Sequence, residues 1–159
     1  LGNRFIYGLC LDGKLSLSSF IKLYGGVNFT SSDKNSDYGP MPSIAPFFGT
    51  FTFSCQHRKW SNFLIWKFSG SKKPRDYSWG GEDGLNETPI IAPNELLEIN
   101  QFYGIPSWNI FSLLNQYYLK ENIRLTFGLN NIFDIHYRTF ASGISSEGRS
   151  FQLGVKVKF

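Results

Sequence analysis

Long apolar runs are missing from this sequence. No stretch of its 159 residues approaches the roughly 18 consecutive apolar residues of a membrane-spanning helix. A membrane protein with this sequence would therefore have to cross the bilayer with β-strands. Cysteine is scarce too, since Cys10 and Cys55 are the only two. Their alternation with apolar neighbours places them on opposite faces of their strands, which argues against a disulfide between them.

Signals of catalysis and of nucleic-acid binding are also missing. His57 and His136 stand apart, and no serine or cysteine lies in a nucleophile motif. The acidic residues of 76–87 lack the spacing of a calcium loop. Gly80-Gly81 precedes acidic residues, the wrong sign for a phosphate site. Because the net charge of +4 is scattered, we expect no enzyme, no cofactor, no metal and no nucleic-acid partner.

Aromatic residues are abundant, at 18% of the chain, and the end of the sequence shows how they are arranged. From Arg149 to Phe159, apolar residues alternate with polar or small ones without a break, which is the period of a β-strand. The length suits the roughly 9–11 residues with which a tilted strand crosses a bilayer. Lys156 and Lys158 fall on the other face, which in a membrane barrel meets water.

Six earlier segments alternate in the same way. The predicted strands, before the closing one, cover about residues 3–11, 15–30, 47–56, 60–69, 108–119 and 123–130. Asp12-Gly13 is a strong signal for a two-residue hairpin turn. Connections near residues 12, 57 and 121 are tight, whereas those near 38, 88 and 142 are long. Alternate connections of an up-and-down sheet share a rim, so this sorting is typical of an outer-membrane barrel.

A run near the end of the chain resembles a motif of TonB-dependent outer-membrane receptors, in which G-x-x-N-x-F-D-x-x-Y precedes the last loop. The matching residues are Gly128, Asn131, Phe133, Asp134 and Tyr137. The segment that leads into the final strand is similar as well, at Gly143, Gly148 and Arg149. Segments 104–108 and 42–49 resemble the starts of earlier strands. The resemblance covers essentially the whole chain and is tightest over 102–159.

The resemblance implies an all-β fold, the C-terminal portion of an antiparallel, up-and-down transmembrane β-barrel of 22 strands. About seven strands would lie in residues 1–159, with a long extracellular loop at about 71–106 and no plug domain. Since the chain has no initiator Met and no leader, we expect a fragment of a longer chain or a degraded remnant. Its partners would be outer-membrane lipid, the missing N-terminal strands and plug, and, through them, a TonB-type energy-coupling protein.

The resemblance also implies roles for particular residues. The barrel assembly machinery would read the apolar face of the last strand, formed by Phe151, Leu153, Val155, Val157 and Phe159. Asp134 and Arg149 flank the last loop, where a charge pair would brace it, and Asn131 and Gly128 would allow close packing or a bulge. Contacts to a small nutrient ligand would come from the longest loop, with Tyr77, Trp79 and Tyr103 as candidates, beside Lys72-Lys73.

The function implied is TonB-energised uptake of a scarce nutrient, such as siderophore-bound iron, at the cell outer membrane. Two alternatives stay open at this point. One is a passive or structural outer-membrane barrel fragment without energy coupling. The other is a soluble β-sandwich binding module, in which two sheets would cover each other's apolar faces.

Overall fold

The segments in which apolar and polar residues alternate form a single β-sheet. A computed structural model describes residues 3–33, 39–91 and 101–159, and in these ranges seven antiparallel strands lie side by side in chain order. The strands are β1 (Ile6–Ser16), β2 (Ile21–Ser32), β3 (Phe48–His57), β4 (Trp60–Ser69), β5 (Trp108–Lys120), β6 (Ile123–Asn130) and β7 (Ser150–Val157). Two short 3-10 helices, Pro74–Asp76 and Leu85–Glu87, precede β5.

None of the helices within the described ranges has the length and apolar character needed to cross a membrane.

The sheet has one apolar face and one mainly polar face, as the alternation predicts, although β4 and β5 also place Phe63, Ile65, Ile110 and Leu114 on the second face. Phe151 and Leu153 of β7 lie opposite Leu129 and Phe127 of β6 on what we call the outer face. The inner face carries polar partners such as Arg124 and Lys156. No second sheet among the described residues covers the outer face, where Leu153 is 82% exposed. The β-sandwich alternative is therefore wrong, because a sandwich buries this face between two sheets.

The first hairpin is longer than the sequence predicts. Asp12-Gly13 is not a turn: β1 continues through it, and these two residues pair with Gly26 and Gly25 of β2. The turn instead occupies residues 17–20, where the Ser18 hydroxyl accepts a hydrogen bond from the Ile21 amide at 3.0 Å. A local dipeptide preference loses here to cross-strand pairing along the whole of β1. The other five predicted strands are confirmed, with their ends shifted by a few residues.

Connections of two lengths are sorted between two rims, as predicted. Tight turns at 17–20, 58–59 and 121–122 lie together at the short-turn rim. Three long connections lie at the opposite, long-loop rim. We call them loop A (33–47), loop B (70–107) and loop C (131–149). A bacterial outer-membrane barrel has this asymmetry, with short periplasmic turns and long extracellular loops.

A row of aromatic rings and a separate aromatic pair lie on the outer face. The row nearer the long-loop rim consists of Phe47, Phe51, Trp66, Phe68, Phe111 and Phe133. At the short-turn rim, Trp60 packs on Tyr117 with ring centroids 4.7 Å apart. Rings at two heights form the girdles that hold a barrel at the two membrane interfaces.

Candidate functional site

Buried apolar side chains of this chain are concentrated at the long-loop rim. Tyr77, Phe102 and Ile105 of loop B are buried, and so is Ile110 at the start of β5. Backbone hydrogen bonds in both directions between Lys72 and Ile105 close loop B on itself, at 2.9 and 3.1 Å. Loop B therefore has a small core of its own in addition to the sheet.

One buried ammonium joins the three loops. The Lys72 Nζ donates to Asp83 Oδ2 and to the Ile44 carbonyl, both at 2.8 Å, and lies 4.2 Å from the centroid of the Phe140 ring. Asp83 Oδ1 in turn accepts from the Ser43 amide at 2.7 Å. Ile44 and Ser43 belong to loop A, and Phe140 to loop C. The ion pair thus links all three loops at one point, which we call the loop hub.

The charges of the loop hub are almost completely withdrawn from solvent. The side chains of Lys72 and Asp83 are only 5% and 2% exposed. A pair this deeply buried is costly to desolvate and is retained only where further hydrogen bonds satisfy both ions. The backbone groups of loop A supply those hydrogen bonds. Residues 43–44 of loop A are therefore held in place by residues of loop B.

Tyr77 belongs to the loop hub rather than to a ligand surface. Its side chain is 0% exposed, with Lys72 Nζ 4.9 Å from its ring centroid and Phe140 packed edge-on. Burial raises the pKa of Tyr77 to about 12, and the Asp83 carboxylate adds to this effect. Loop packing leaves the Tyr77 side chain no exposed surface, and its contact with a ligand stays a prediction. The same holds for Lys72, whose side chain is 5% exposed.

The other two residues predicted to contact a ligand have exposed side chains. Trp79 is 63% exposed and Tyr103 is 61% exposed. The Trp79 ring lies directly over the backbone of Gly39, where an added Cβ would come within 2.5 Å of it. Gly39 also has a positive φ of 67°, so the close approach and the backbone conformation both favour glycine. Contact of Trp79 or Tyr103 with a ligand stays a prediction.

Asn131 of the family-like motif controls the path of loop C. It is 3% exposed and has a positive φ of 47°, a conformation that asparagine tolerates better than most residues. Its side-chain amide donates to the carbonyls of Ile135 and Glu147 at 2.9 and 3.4 Å. Its Oδ1 accepts from the Ile135 amide at 2.9 Å. Asn131 thus ties both ends of loop C together.

Asp134 and Arg149 meet at the two ends of the same loop. Asp134 Oδ1 accepts from the Arg149 backbone amide at 2.6 Å, and the two side chains form an ion pair at 3.8 Å. Gly148 makes room for this contact, since a Cβ there would come within 2.7 Å of Asp134 Oδ1. Both charged side chains are about half exposed, so the backbone contact holds the loop more firmly than the ion pair does.

The remaining residues of the family-like segments lie in different parts of the structure. Tyr137 packs on Trp108 with ring centroids 4.7 Å apart, while Phe133 extends the outer aromatic row from Phe111. Gly128 is buried on the inner face of β6, and Gly143 lies close to the Glu87 carboxylate of loop B. These places fit packing roles, and any functional role stays a prediction.

The assembly-signal residues lie along one edge of the sheet. Phe151, Leu153, Val155 and Val157 are exposed on the outer face of β7, which has no further strand beside it among the described residues. Phe159 follows the end of β7 and is fully exposed. Recognition of this edge by assembly machinery stays a prediction.

A cavity between loops B and C was not predicted. Its volume is about 390 Å³, and polar side chains at its wall include Glu87, His136, Arg138 and Ser145. His136 Nε2 and Ser145 Oγ are hydrogen-bonded at 3.1 Å, and an Arg138 guanidinium nitrogen donates to the Glu87 carbonyl. No described group of three His, Cys, Asp or Glu side chains could hold a metal ion.

Neither the cavity nor the loop hub has a short-range sequence signal. The hub draws Lys72 and Asp83 from loop B, Ile44 from loop A and Phe140 from loop C. No spacing rule connects these positions, because only the pairing of the strands brings the three loops to the same rim.

Solved structures share this fold. The copper transporter OprC matches with a TM-score of 0.73 at 20% identity, over 98% of this chain and 23% of that one. A mutant of the ferric enterobactin receptor PfeA from Pseudomonas aeruginosa matches at 0.72 and 20%, over 97% and 22%. The siderophore receptor PiuA from Acinetobacter baumannii matches at 0.67 and 15%, over 98% and 22%. Neither a family model nor a curated protein matches the sequence.

These neighbours are TonB-dependent receptors. The fold of this chain is accordingly that of a portion of a TonB-dependent receptor barrel. The chain spans less than a quarter of the length of the receptors that it matches.

Proposed function

We propose that this chain is the C-terminal part of the barrel of an outer-membrane receptor that takes up a scarce nutrient, such as siderophore-bound iron. One observation carries this proposal: a single sheet with an apolar outer face, a mainly polar inner face and connections sorted by length between two rims. Outer-membrane barrels combine these features because lipid lies outside and water inside.

The inner face suits a wet lumen. Basic side chains lie there on five strands, at Lys14 of β1, Lys22 of β2, Lys67 of β4, Arg124 of β6 and Lys156 of β7. Charges of this kind are costly against acyl chains but are well solvated in a water-filled barrel. The charges on the inner face therefore favour the interpretation of this sheet as part of a water-filled transport barrel.

The two open edges of the sheet indicate that further strands pair with it. The outer edges of β1 and β7 have no partner strand among the described residues. Unpaired backbone groups in lipid cost several kcal/mol each, so a stable barrel needs further strands to close it. We propose that the missing N-terminal strands supply this closure, together with a plug and a coupling segment that a TonB-type protein pulls.

Ligand recognition would take place at the long-loop rim. The exposed rings of Trp79 and Tyr103 and the cavity between loops B and C are the surfaces there that a small ligand could contact. The loop hub would hold these surfaces in place, since it ties loops A, B and C together. Ligand-binding residues commonly lie on loops that a rigid scaffold positions.

Uptake by whole cells tests the proposal. The full-length product of the gene is expressed in a host that lacks its own iron-chelate and copper receptors, and labelled ferric enterobactin and labelled copper are supplied as probes. These probes follow from two of the structural neighbours. We expect accumulation of at least one probe above an empty-vector control. Accumulation of neither would contradict a role in iron-chelate or copper uptake.

Energy coupling is tested separately from transport. A protonophore that collapses the inner-membrane potential should stop accumulation of the probe while leaving its binding to the cell surface intact. A passive barrel predicts accumulation that the protonophore does not change. This comparison separates the receptor from the passive alternative.

A further inference from the structure

The short-turn rim carries an excess of positive charge. Its tight turns and the end of β7 bring together Arg58, Lys59, Lys120 and Lys158, with Glu121 as the acidic side chain among them. No ion pair joins Arg58, Lys59 or Lys120 to a described carboxylate. At the long-loop rim, two cations are paired, Arg4 with Asp33 and Lys72 with Asp83.

Two neighbouring turns enclose a groove at this rim. A cavity of about 540 Å³ is lined by Lys59, Tyr118, Leu119, Lys120 and Glu121. The Tyr118 amide donates to the Lys59 carbonyl at 2.9 Å, and Lys59 Nζ donates to the Leu119 carbonyl at 3.4 Å. These contacts hold the turn between β3 and β4 against the end of β5.

An irregularity in β5 exposes the apolar wall of the groove. The pairing of β5 with β6 shifts between Tyr118 and Lys120, so that Leu119 has no partner on β6. Leu119 is 45% exposed. Bulges of this kind re-aim side chains at the rims of barrels. The groove consequently has a charged mouth formed by two lysines beside an apolar surface.

The groove lies at the level of an aromatic girdle. Trp60 follows Lys59 directly and packs on Tyr117 on the outer face, where Trp60 is 50% exposed. Tryptophan and tyrosine in this position mark the headgroup region of a bilayer. A molecule in the groove would therefore have its charged end among headgroups and its apolar end beside acyl chains.

We infer that this groove binds an anionic phospholipid of the leaflet at the short-turn rim, with Lys59 and Lys120 on the phosphate and Leu119 against the glycerol and acyl region. The inference rests on the membrane placement proposed above and goes beyond nutrient uptake. Charge complementarity favours this occupant, because a Lys close to a membrane attracts anionic lipid. An anion without acyl chains would leave the apolar wall uncovered.

A lipid titration tests the groove. The full-length gene product in detergent is titrated with phosphatidylglycerol and with phosphatidylcholine, and bound lipid is counted by native mass spectrometry. The double variant Lys59→Gln with Lys120→Gln should weaken phosphatidylglycerol binding roughly 25-fold at low salt, at about fivefold for each lysine. Phosphatidylcholine binding should not change. A Kd for phosphatidylglycerol equal to that of the unaltered protein would overturn the inference.

Matched variants and competitors complete the test. Lys67→Gln with Lys73→Gln removes the same charge from the inner face and from loop B, and should leave the Kd unchanged. Lys59→Arg with Lys120→Arg should retain binding, which shows that the effect of the glutamines is not misfolding. Inorganic phosphate should not displace the lipid; equal competition would identify a small-anion site and overturn the inference. Uptake is measured separately, so its failure bears on the proposed function alone.

Discussion

At the scale of single residues, the long loops depend on a few side chains that hydrogen-bond to backbone. Asn131 is the clearest case, since its amide contacts both ends of loop C and its own backbone has a positive φ. Each buried hydrogen bond contributes about 1 kcal/mol, and a left-handed conformation costs a residue such as alanine about 1–2 kcal/mol. Both effects act at one position.

Replacement of Asn131 should therefore loosen loop C. Asn131→Ala is expected to lower the free energy of local opening by about 4–5 kcal/mol, the sum of three lost side-chain hydrogen bonds and the backbone strain. Hydrogen exchange of peptides from 131–149 measures this opening. Asn131→Gly, which keeps the backbone unstrained, should cost about 1 kcal/mol less. Asn130→Ala, with one hydrogen bond to Ser150, is the control, and an equal effect there would contradict this role of Asn131.

Tyr77 offers a spectroscopic test of loop burial. Because burial raises its pKa to about 12, the phenol should ionise about two pH units above an ordinary tyrosine. The absorbance difference between the unaltered protein and Tyr77→Phe, followed at the phenolate band, should have its midpoint near 12. A midpoint near 10 would show that Tyr77 is solvated.

The same shift predicts how stability depends on pH. The folded state holds the Tyr77 proton more tightly than the unfolded chain, so this contribution is complete below about pH 10. As the pH rises from about 10 towards 12, the unaltered protein should lose stability relative to Tyr77→Phe, which cannot ionise. Denaturant unfolding of both proteins across this range measures the difference.

At the scale of elements, strands follow from sequence and loops do not. Strict alternation, as in Leu153 and Val155 of β7, predicts both the strands and the faces of their side chains. The sequence predicts the first hairpin turn in the wrong place because Asp12-Gly13 is a local signal, whereas the register of β1 on β2 is set by many cross-strand contacts. One of these contacts places the Asp12 carboxylate in the space that Gly26 leaves by having no side chain.

The loop hub is the element-scale feature that sequence reasoning missed. Lys72 and Asp83 appear as ordinary loop charges until the three loops are brought to one rim. The burial of Tyr77 is not visible in the sequence for the same reason, since an aromatic residue in a long loop has the same signature whether it is buried or exposed.

Breaking the hub should loosen all three loops. Lys72→Met leaves the Asp83 carboxylate buried without its partner, which costs about 3–5 kcal/mol. We expect faster proteolysis and faster hydrogen exchange in loops A, B and C. The double variant Lys72→Met with Asp83→Leu should recover most of the loss, because no unpaired charge remains. Lys73→Met, at an exposed neighbour, should have no effect; equal damage by all three variants would contradict the hub.

At the scale of the whole molecule, the fold is defined by two chemically different faces. Phe151, Leu153 and Val155 extend an apolar surface that no described residue covers, while Gln152 and Lys156 lie on the opposite side. A soluble protein would bury the first surface, and a bilayer provides the same burial by acyl chains. The open edges of β1 and β7 make this sheet a part of a larger barrel in our proposal.

One measurement tests this account most directly. In the full-length gene product, with its own cysteines replaced, spin labels are attached through Leu153→Cys or Gln152→Cys and the protein is reconstituted in lipid. We predict that the label at 153 relaxes mainly with oxygen, which concentrates among acyl chains, and that the label at 152 relaxes mainly with a water-soluble nickel chelate. Equal accessibility of the two labels to both reagents would contradict the assignment of the outer face to lipid and the inner face to water.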